Sequence, residues 1–520
     1  MAQPPSTLFF DCVVVGSGNA GFCAVHSAVE NGCSRVLIAD TCPESWAGGN
    51  SYFTAGAMRT VHGGLQDLLP LVNNVPPEMR DKIDLDPYTS ANYTNDIMRL
   101  GQNRSDPALV KALVDDSRDV IGWLKEHVGV RFMLSFHRQA YAVNGRQRFW
   151  GGLHLSTEDG GKGLIEDHRR KAGEEGVEIW FDSPAIRLIV EDGAVKGVVI
   201  SCAGVETPIR ATGVVLASGG FEANPTLREK YLGAEWKEAR VRGTPYNQGD
   251  GILLASAANA AHYGDWAGCH STCWDAAAPR DRGDQVLSNQ FTKSGYPLGL
   301  MVNADGKRFV DEGEDMRNYT YARFGRKILE QPGGIAWQVY DAKVVPLLRK
   351  EEYADEVVRK IRAETLDSLA DELVQDGLLD RGAFLHTIEE YNAALENVPN
   401  PPGFNPAIKD GLSTQSEHGG LQLPKTNWAQ TVDKPGFVAV KVSCGITFTF
   451  GGLRVDPKTA GVLDEQGKRV EGLFCTGEMV GGLFYSNYPG GSGLTAGAVF
   501  GRKAGREIGK SVTKEHSQSQ

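Results

Sequence analysis

At 520 residues the chain is longer than one hydrophobic core normally supports, which predicts two domains. Its 54 basic and 65 acidic residues leave a net charge of −11, which excludes nucleic acid and anionic membrane surfaces as main partners, because both demand a basic face. Nine scattered cysteines predict reduced thiols and a cytoplasmic protein rather than a disulfide framework, and no run of about 18 apolar residues is present to span a bilayer.

Asp11 to Asp40 reads as a complete strand–helix–strand unit. The apolar run Cys12 to Val15 feeds Gly16-Ser17-Gly18-Asn19-Ala20-Gly21, a small-residue helix follows, and a second apolar run, Val36 to Ala39, closes on Asp40. Gly16 permits the tight turn, Gly18 lets the backbone approach a pyrophosphate, Gly21 lets the helix pack on the sheet, and the helix N-terminus at Asn19 and Ala20 offers unpaired N–H groups to the anion. Asp40 is placed to hold ribose hydroxyls. The unit predicts a bound dinucleotide. Trp46 to Gly56 has no helical or strand period, and its Gly48, Gly49, Asn50, Ser51 and Gly56 would bring backbone amides to the same cofactor.

Further on, Asp106 to Val128 has apolar residues three and four apart and predicts helix, and Gly160 to Leu164 opens another. Val177 to Ile200 alternates like strands around an Glu191-Asp192-Gly193 hairpin turn. A buried strand from Ala211 then runs into the glycine turn Ser218-Gly219-Gly220, which returns the chain to the cofactor sheet. From about Trp266 the texture changes. Charged helical patterns cover Glu364 to Leu379 and Ala383 to Glu396, and a Pro-rich turn follows at Val398 to Pro406. Glycine-bearing strand units resume only with Gly451 to Val455, Gly472 to Glu478 and the helix-opening Gly490 to Thr495. The pattern predicts a split cofactor domain, 1–269 and 447–520, with an inserted domain over 270–446. The tail from His516 reads as disordered. Cys269, His270 and Cys273 form a close group, but nothing nearby completes a zinc ligand set, so no metal is expected.

The motifs GSGNAG, GGNS, ATGVVLASGG, NADGKRFVDE, GGLRVD, LFCTGE and GGSGLTAGAVFGRKAG resemble, in order and spacing, the flavoprotein family of soluble fumarate reductases, succinate dehydrogenase flavoprotein subunits, 3-ketosteroid dehydrogenases and tricarballylate dehydrogenases. GDWAGCH, DMRNYTYARFGR and GEMVGGLFYSNYPGGSGLTAGAVFGR are most similar to tricarballylate dehydrogenases. The resemblance implies an α/β fold: a Rossmann-like FAD-binding domain, split in sequence, carrying an inserted α+β capping domain. It implies FAD as cofactor and Glu478 among its contacts. The helix behind Ser492, Gly493 and Leu494 would aim its positive end at the flavin pyrimidine edge. Where some members carry a flavin-linking His, this chain reads Gly49 to Thr54 with none, so FAD is expected to be noncovalent.

By the same resemblance Arg317 matches the cap Arg that shuttles the proton, and His270 matches a substrate-side His. Two family groups are replaced: Thr447 stands where a carboxylate-gripping His is expected, and Tyr488 where a second Arg is expected. Two cationic grips therefore read as missing. Tyr319, Tyr321 and Tyr488 supply phenols that can donate to a carboxylate or carbonyl, or act as base once a guanidinium lowers their pKa. The expected reaction is FAD-dependent formation of a C=C bond beside a carboxylate or carbonyl, with tricarballylate to cis-aconitate leading and an unidentified electron acceptor. The alternatives are desaturation of a cyclic ketone or secondary metabolite, favoured by Thr447 and Tyr488, and a non-catalytic flavin-bearing redox sensor.

Overall fold

Two sheets organise the chain in a computed structural model that describes residues 8–396, 398, 404–416 and 419–518. The first is eight-stranded. Its centre is the predicted unit: β1 (Leu8–Val15), α1 (Asn19–Glu30) and β2 (Val36–Ala39). The last six residues of β1 are buried, as expected of a strand covered on both faces. The intervening helices are α2 (Pro107–Trp123) and α3 (Gly160–Glu174). The strands β3 (Glu178–Trp180), β4 (Ala185–Glu191), β5 (Ala194–Cys202) and β6 (Val205–Leu216) follow in the predicted region. β6 pairs parallel to β1, β2 lies on the other side of β1, and β3 pairs with β2.

The second sheet is six-stranded and built on a long antiparallel ribbon of β7 (His262–Asp275) and β10 (Phe437–Leu453). Between them come β8 (Leu300–Asn303), α4 (Arg317–Leu329), β9 (Ile335–Tyr340), α5 (Leu366–Gln375) and α6 (Arg381–Ala393). The expected boundaries at 270 and 446 fall inside the two ribbon strands, so the ribbon itself carries the chain between the sheets. Thr365 begins α5 with a capping box and Asp380 caps α6 through Ala383 N, which satisfies free N–H groups at both helix starts. Leu369, Leu373, Phe384 and Ile388 on these helices are buried with Trp337 and Val339 of β9 in a second core.

The chain returns to the first sheet through β11 (Gly461–Leu463) and β12 (Arg469–Cys475), the latter parallel to β6. The final helix α7 (Ser492–Gln518) lies along α1. Gly497, Gly501, Gly505 and Gly509 recur every four residues, so one line of α7 is bare backbone. A Cβ on Gly501 would stand 2.5 Å from Ala20 O, and one on Gly505 2.2 Å from Ala24 O. Each glycine costs helix stability of about 1 kcal/mol relative to alanine. The return is close approach of two helices whose N-termini meet at one cavity.

Two expectations change in detail. The 46–56 segment contains a one-turn helix, Gly49–Tyr52. Helix α7 continues to Gln518 where disorder from His516 was expected; residues 519 and 520 lie outside the described residues. Of the Pro-rich turn at 398–406, residues 399–403 also lie outside them. All nine cysteines are free; eight are buried and Cys202 is partly exposed. Among the described residues no group of three His, Cys, Asp or Glu is arranged to hold a metal, and no helix is long and apolar enough to cross a membrane.

Candidate active site

One continuous cavity runs from the N-terminus of α1, past the start of α7, to the underside of α4. Gly16, Gly18, Asn19, Ala20, Asp40, Gly49, Asn50, Ser51, Ser218, Gly219, Glu478, Gly493 and Leu494 line it. Gly16 takes a φ of +109°, and a Cβ there would meet Ala217 O at 2.5 Å, so the turn and the neighbouring strand end both require glycine. A Cβ on Gly18, Gly49 or Gly493 would meet no atom nearer than 3.6 Å. These glycines present bare backbone to open space, as a dinucleotide needs.

Other glycines serve the cavity from behind. Gly21 packs against Gly16 O, Gly48 against Ile165, Gly56 against Thr157 and Gly220 against Glu478, with ideal Cβ contacts of 2.1, 2.7, 2.0 and 2.1 Å respectively. Ser492 is buried off the cavity. These five positions shape the cradle without lining it. Asp40 lines the cavity, yet its Oδ2 already accepts from Ser17 N at 2.7 Å and Ser17 Oγ at 2.6 Å, and its Oδ1 accepts from Cys42 N at 3.1 Å. It holds the glycine loop in shape while lining the cavity.

Glu478 is half-buried beside the fully buried Glu222. Thr449 donates to Glu478 Oε1 from its N (2.7 Å) and Oγ1 (3.0 Å), while Asn50 and Asn247 each donate to Glu222 Oε1 at 2.5 Å. Burial first, then the neighbouring carboxylate, raises the Glu222 pKa, and burial raises that of Glu478. The pair is favoured in a partly protonated form.

At the far end the cavity is cationic. Arg138, Arg242, Arg317 and Arg349 all line it. Arg317 donates from Nη1 to Ser294 Oγ at 2.9 Å and from Nη2 to Arg138 O, and lies over the Trp150 ring at 5.0 Å. The buried Glu352 accepts from Arg138 Nη2 at 2.9 Å and Arg349 Nη1 at 3.0 Å on one oxygen, and from Ser294 N (2.9 Å) and Oγ (2.5 Å) on the other. Glu351 approaches Arg138 at 3.6 Å from outside. Arg242 donates to Thr447 Oγ1 at 2.8 Å and to Asn289 Oδ1, both neutral, and among the described residues no carboxylate lies within ion-pair distance of it. Burial lowers the pKa of both Arg242 and Arg317. Four guanidinium groups thus face two carboxylates, one of them peripheral.

The expectation of two missing cationic grips is therefore corrected in space. Arg138, Arg242 and Arg349 come from segments that sequence reasoning passed over. Only Arg242 had a local signal, standing just before the Gly243-Thr244-Pro245 turn that leads back to the cofactor cradle.

Tyr321 and Tyr488 line the cavity, and their hydroxyls are 2.8 Å apart. Burial raises both pKa values, most strongly for Tyr488, and the nearby Arg242 does not reverse this. They stand as protonated donors, so the expectation of a phenol base with a lowered pKa is not met. Tyr319 does not reach the cavity. Its hydroxyl donates to Asp96 Oδ2 at 2.7 Å and its ring stacks under Arg59 at 5.2 Å. Position 319 points to the opposite side of α4 from 317 and 321, because two residues advance a helix by about 200° and four nearly close a turn. His270 is buried behind the tyrosines, 4.8 Å from the Tyr321 ring and 5.2 Å from that of Tyr488, and burial keeps it neutral. It supports them from the rear.

A parallel βαβ sheet with a glycine-floored cavity between two helix N-termini, opening onto arginines and phenols, defines a dinucleotide-dependent oxidoreductase. The chain belongs to the family whose model is described as FAD binding domain, matched over residues 11–494. Probable fumarate reductase Ifc3 of Shewanella frigidimarina is 28% identical over 504 residues, spanning 96% of this chain and 74% of that protein. The 4-oxocyclohex-2-ene-1-carboxylate 5-dehydrogenase of Sinomonas cyclohexanicum is 27% identical, spanning 97% of this chain and 94% of that protein. The open conformation of a flavocytochrome c3 fumarate reductase superposes with a TM-score of 0.70 at 26% identity, covering 97% of this chain and 79% of that one. The protein is an FAD-dependent oxidoreductase acting on carbon–carbon bonds.

Proposed function

We propose that the protein dehydrogenates a saturated polycarboxylate at the bond next to a carboxylate, with tricarballylate to cis-aconitate as the leading case and FAD held noncovalently. The observation that carries this reading is the buried cationic excess: Arg242 has no carboxylate partner among the described residues, and Arg138, Arg317 and Arg349 gather around Glu352 in a protein whose net charge is −11. Buried charge of one sign is tolerated where a ligand of the other sign completes it.

Bound FAD supplies the hydride acceptor. The chain does the rest. Arg242 and the Arg138–Arg349 pair grip carboxylates at two places and so fix which carbon–carbon bond faces the cofactor. Tyr321 and Tyr488 donate to the carboxylate oxygen on which enolate-like charge develops. Arg317, its guanidinium pKa lowered by burial, gives a proton from Nη1 to Ser294 Oγ as the hydroxyl proton of Ser294 moves to Glu352 Oε2, and the neutral guanidine so formed takes the substrate proton at Nη. Reducing equivalents then leave to a separate electron acceptor. The buried reduced thiols support a cytoplasmic location.

A second reading is favoured by one feature, the Tyr321–Tyr488 hydroxyl pair at 2.8 Å, which suits the oxygen of a ketone. A relative named for a ring carrying both ketone and carboxylate supports it. Anaerobic bleaching of the bound flavin by tricarboxylates, dicarboxylates and cyclic ketones decides between the two. Bleaching by ketones alone would sink the polycarboxylate reading.

A further inference from the structure

Behind the cofactor cradle, a line of hydrogen bonds runs from the surface to the first residue of α1. His127, after α2, is partly exposed and its Nε2 lies 3.2 Å from Glu175 Oε1. Glu175 Oε2 is 2.6 Å from His26 Nδ1, His26 Nε2 is 3.2 Å from His168 Nδ1, and His168 Nε2 is 3.1 Å from Asn19 Oδ1. His26, His168 and Asn19 are fully buried, and Phe22 stacks on both rings at 6.1 and 5.3 Å. The line ends at the cavity, where Asn19 Nδ2 donates to Leu494 O at 2.9 Å and so joins the N-termini of α1 and α7.

Counting protons along this line gives a definite answer. The Asn19 amide is fixed by its bond to Leu494 O, so its Oδ1 is an acceptor and His168 must donate from Nε2. Three contacts, Glu175–His26, His26–His168 and His168–Asn19, need three protons. Two neutral imidazoles supply two. The third belongs to Glu175, whose protonated Oε2 donates to His26 Nδ1, leaving each ring with its proton on Nε2. Without it, two acceptors face each other at one of the three contacts, and the strain falls on the rings that hold Asn19.

The surroundings agree with a neutral line. Burial pushes His26 down to about 3 and lowers His168 well below the usual range, while burial raises Glu175. Charged neighbours stand on every packed element. His127 and Lys171 (3.6 Å) both address Glu175 Oε1 and leave Oε2 to the histidine. Arg170 on α3 is paired with Glu174 at 2.6 Å, and Arg502 on α7 with Asp119 at 2.5 Å.

We propose that Glu175, His26 and His168 share a single stored proton and that, by fixing Asn19 between α1 and α7, this proton sets how tightly the protein holds FAD. The three are positioning residues for the cofactor site. They act through Asn19 and touch no reacting atom. Since the proton belongs to the FAD-holding form, affinity is full at low pH and falls as pH rises and the proton is lost.

The test uses the holoprotein. FAD released on dilution is followed by its fluorescence from acidic to alkaline pH. The dissociation constant is expected to be level at low pH and then to rise by about tenfold per pH unit, the slope of one proton. Glu175→Gln supplies a permanent N–H to His26 Nδ1 and should hold FAD at the low-pH wild-type level with no pH dependence. A wild-type constant that is flat with pH, or a Glu175→Gln variant that keeps the wild-type rise, overturns the proposal. Should that variant not fold, ¹⁵N spectra of the wild-type holoprotein at low pH serve instead. Protons on Nε2 of both His26 and His168 are expected, and a bare Nε2 on either ring refutes the stored proton.

Discussion

The two ends of the cavity are built from different material. At the dinucleotide end the chain presents backbone: bare glycines and two helix N-termini, contributed by a few contiguous motifs. At the substrate end it presents side chains, with Arg138, Arg242, Arg317, Arg349, Tyr321 and Tyr488 arriving from five separate stretches. A backbone cradle tolerates little change where its glycines pack, since a Cβ on Gly16, Gly21, Gly56 or Gly220 collides with its neighbours. A side-chain pocket can be refitted one residue at a time. The contrast teaches how one cofactor site can be kept while the substrate changes.

The comparison is tested most strongly at Arg317. Arg317→Lys keeps the charge but loses the planar fork that holds Ser294 and the Arg138 carbonyl, and flavin reduction in a single turnover should slow by about 10²-fold or more while the FAD content stays unchanged. A larger loss for Tyr488→Phe than for Arg317→Lys would refute the polycarboxylate assignment.

Arg242→Met comes next. Removal of a charged grip should weaken binding of the polycarboxylate by about 2 kcal/mol or more, read from the substrate dependence of bleaching. The same change should raise the melting temperature of the protein, because it deletes a buried cation that has no carboxylate partner among the described residues. A lower melting temperature would show that the guanidinium is compensated within the fold.

At the opposite end, Asp40→Ala should weaken FAD retention by about 1 to 3 kcal/mol, because it frees the Ser17 N–H and hydroxyl that hold the glycine loop, with no change in substrate selectivity. Unchanged FAD affinity would remove Asp40 from the site. Tyr488→Phe should slow bleaching by only a few-fold, about 1 kcal/mol, because Tyr321 and the arginines remain.

The smallest effect concerns Glu222. The folded-state pKa of this carboxyl is raised, so its contribution to stability is present at low pH and is lost as pH rises through the folded value. Glu222→Gln keeps a neutral partner for Glu478 and should flatten the decline in melting temperature toward alkaline pH. An unaltered decline would assign it to other groups.

The same difference in material explains what could be read from the chain. Gly16, Gly18 and Asp40 sit within one strand–helix–strand unit, where spacing alone fixes their geometry, and the structure places all three on the cavity. Arg138 and Arg349 are 211 positions apart and meet through Glu352, a contact that no local period encodes. Tyr319 stands two residues from Tyr321 in sequence, yet helical geometry turns the two to different sides of α4 and only Tyr321 lines the cavity. The His26–His168 line stayed hidden for a similar reason: each histidine lies in an ordinary small-residue or charged helix pattern, and only the packing of α1 on α3 brings the rings together.

The placement of the nine thiols turns the protein into its own reporter of opening. Burial raises the pKa of eight of them and so suppresses the reactive thiolate, leaving Cys202 as the site within reach of an alkylating reagent in the native state. Cys12, Cys23, Cys33 and Cys475 pack in the core of the first sheet, which Cys269 and Cys444 of the ribbon also join, while Cys273 packs in a separate core with Tyr296 and Phe324. The order in which labels appear along the chain under mild denaturant would therefore time the loosening of these two cores separately, Cys273 reporting the latter, in a wild-type protein with no engineered probe.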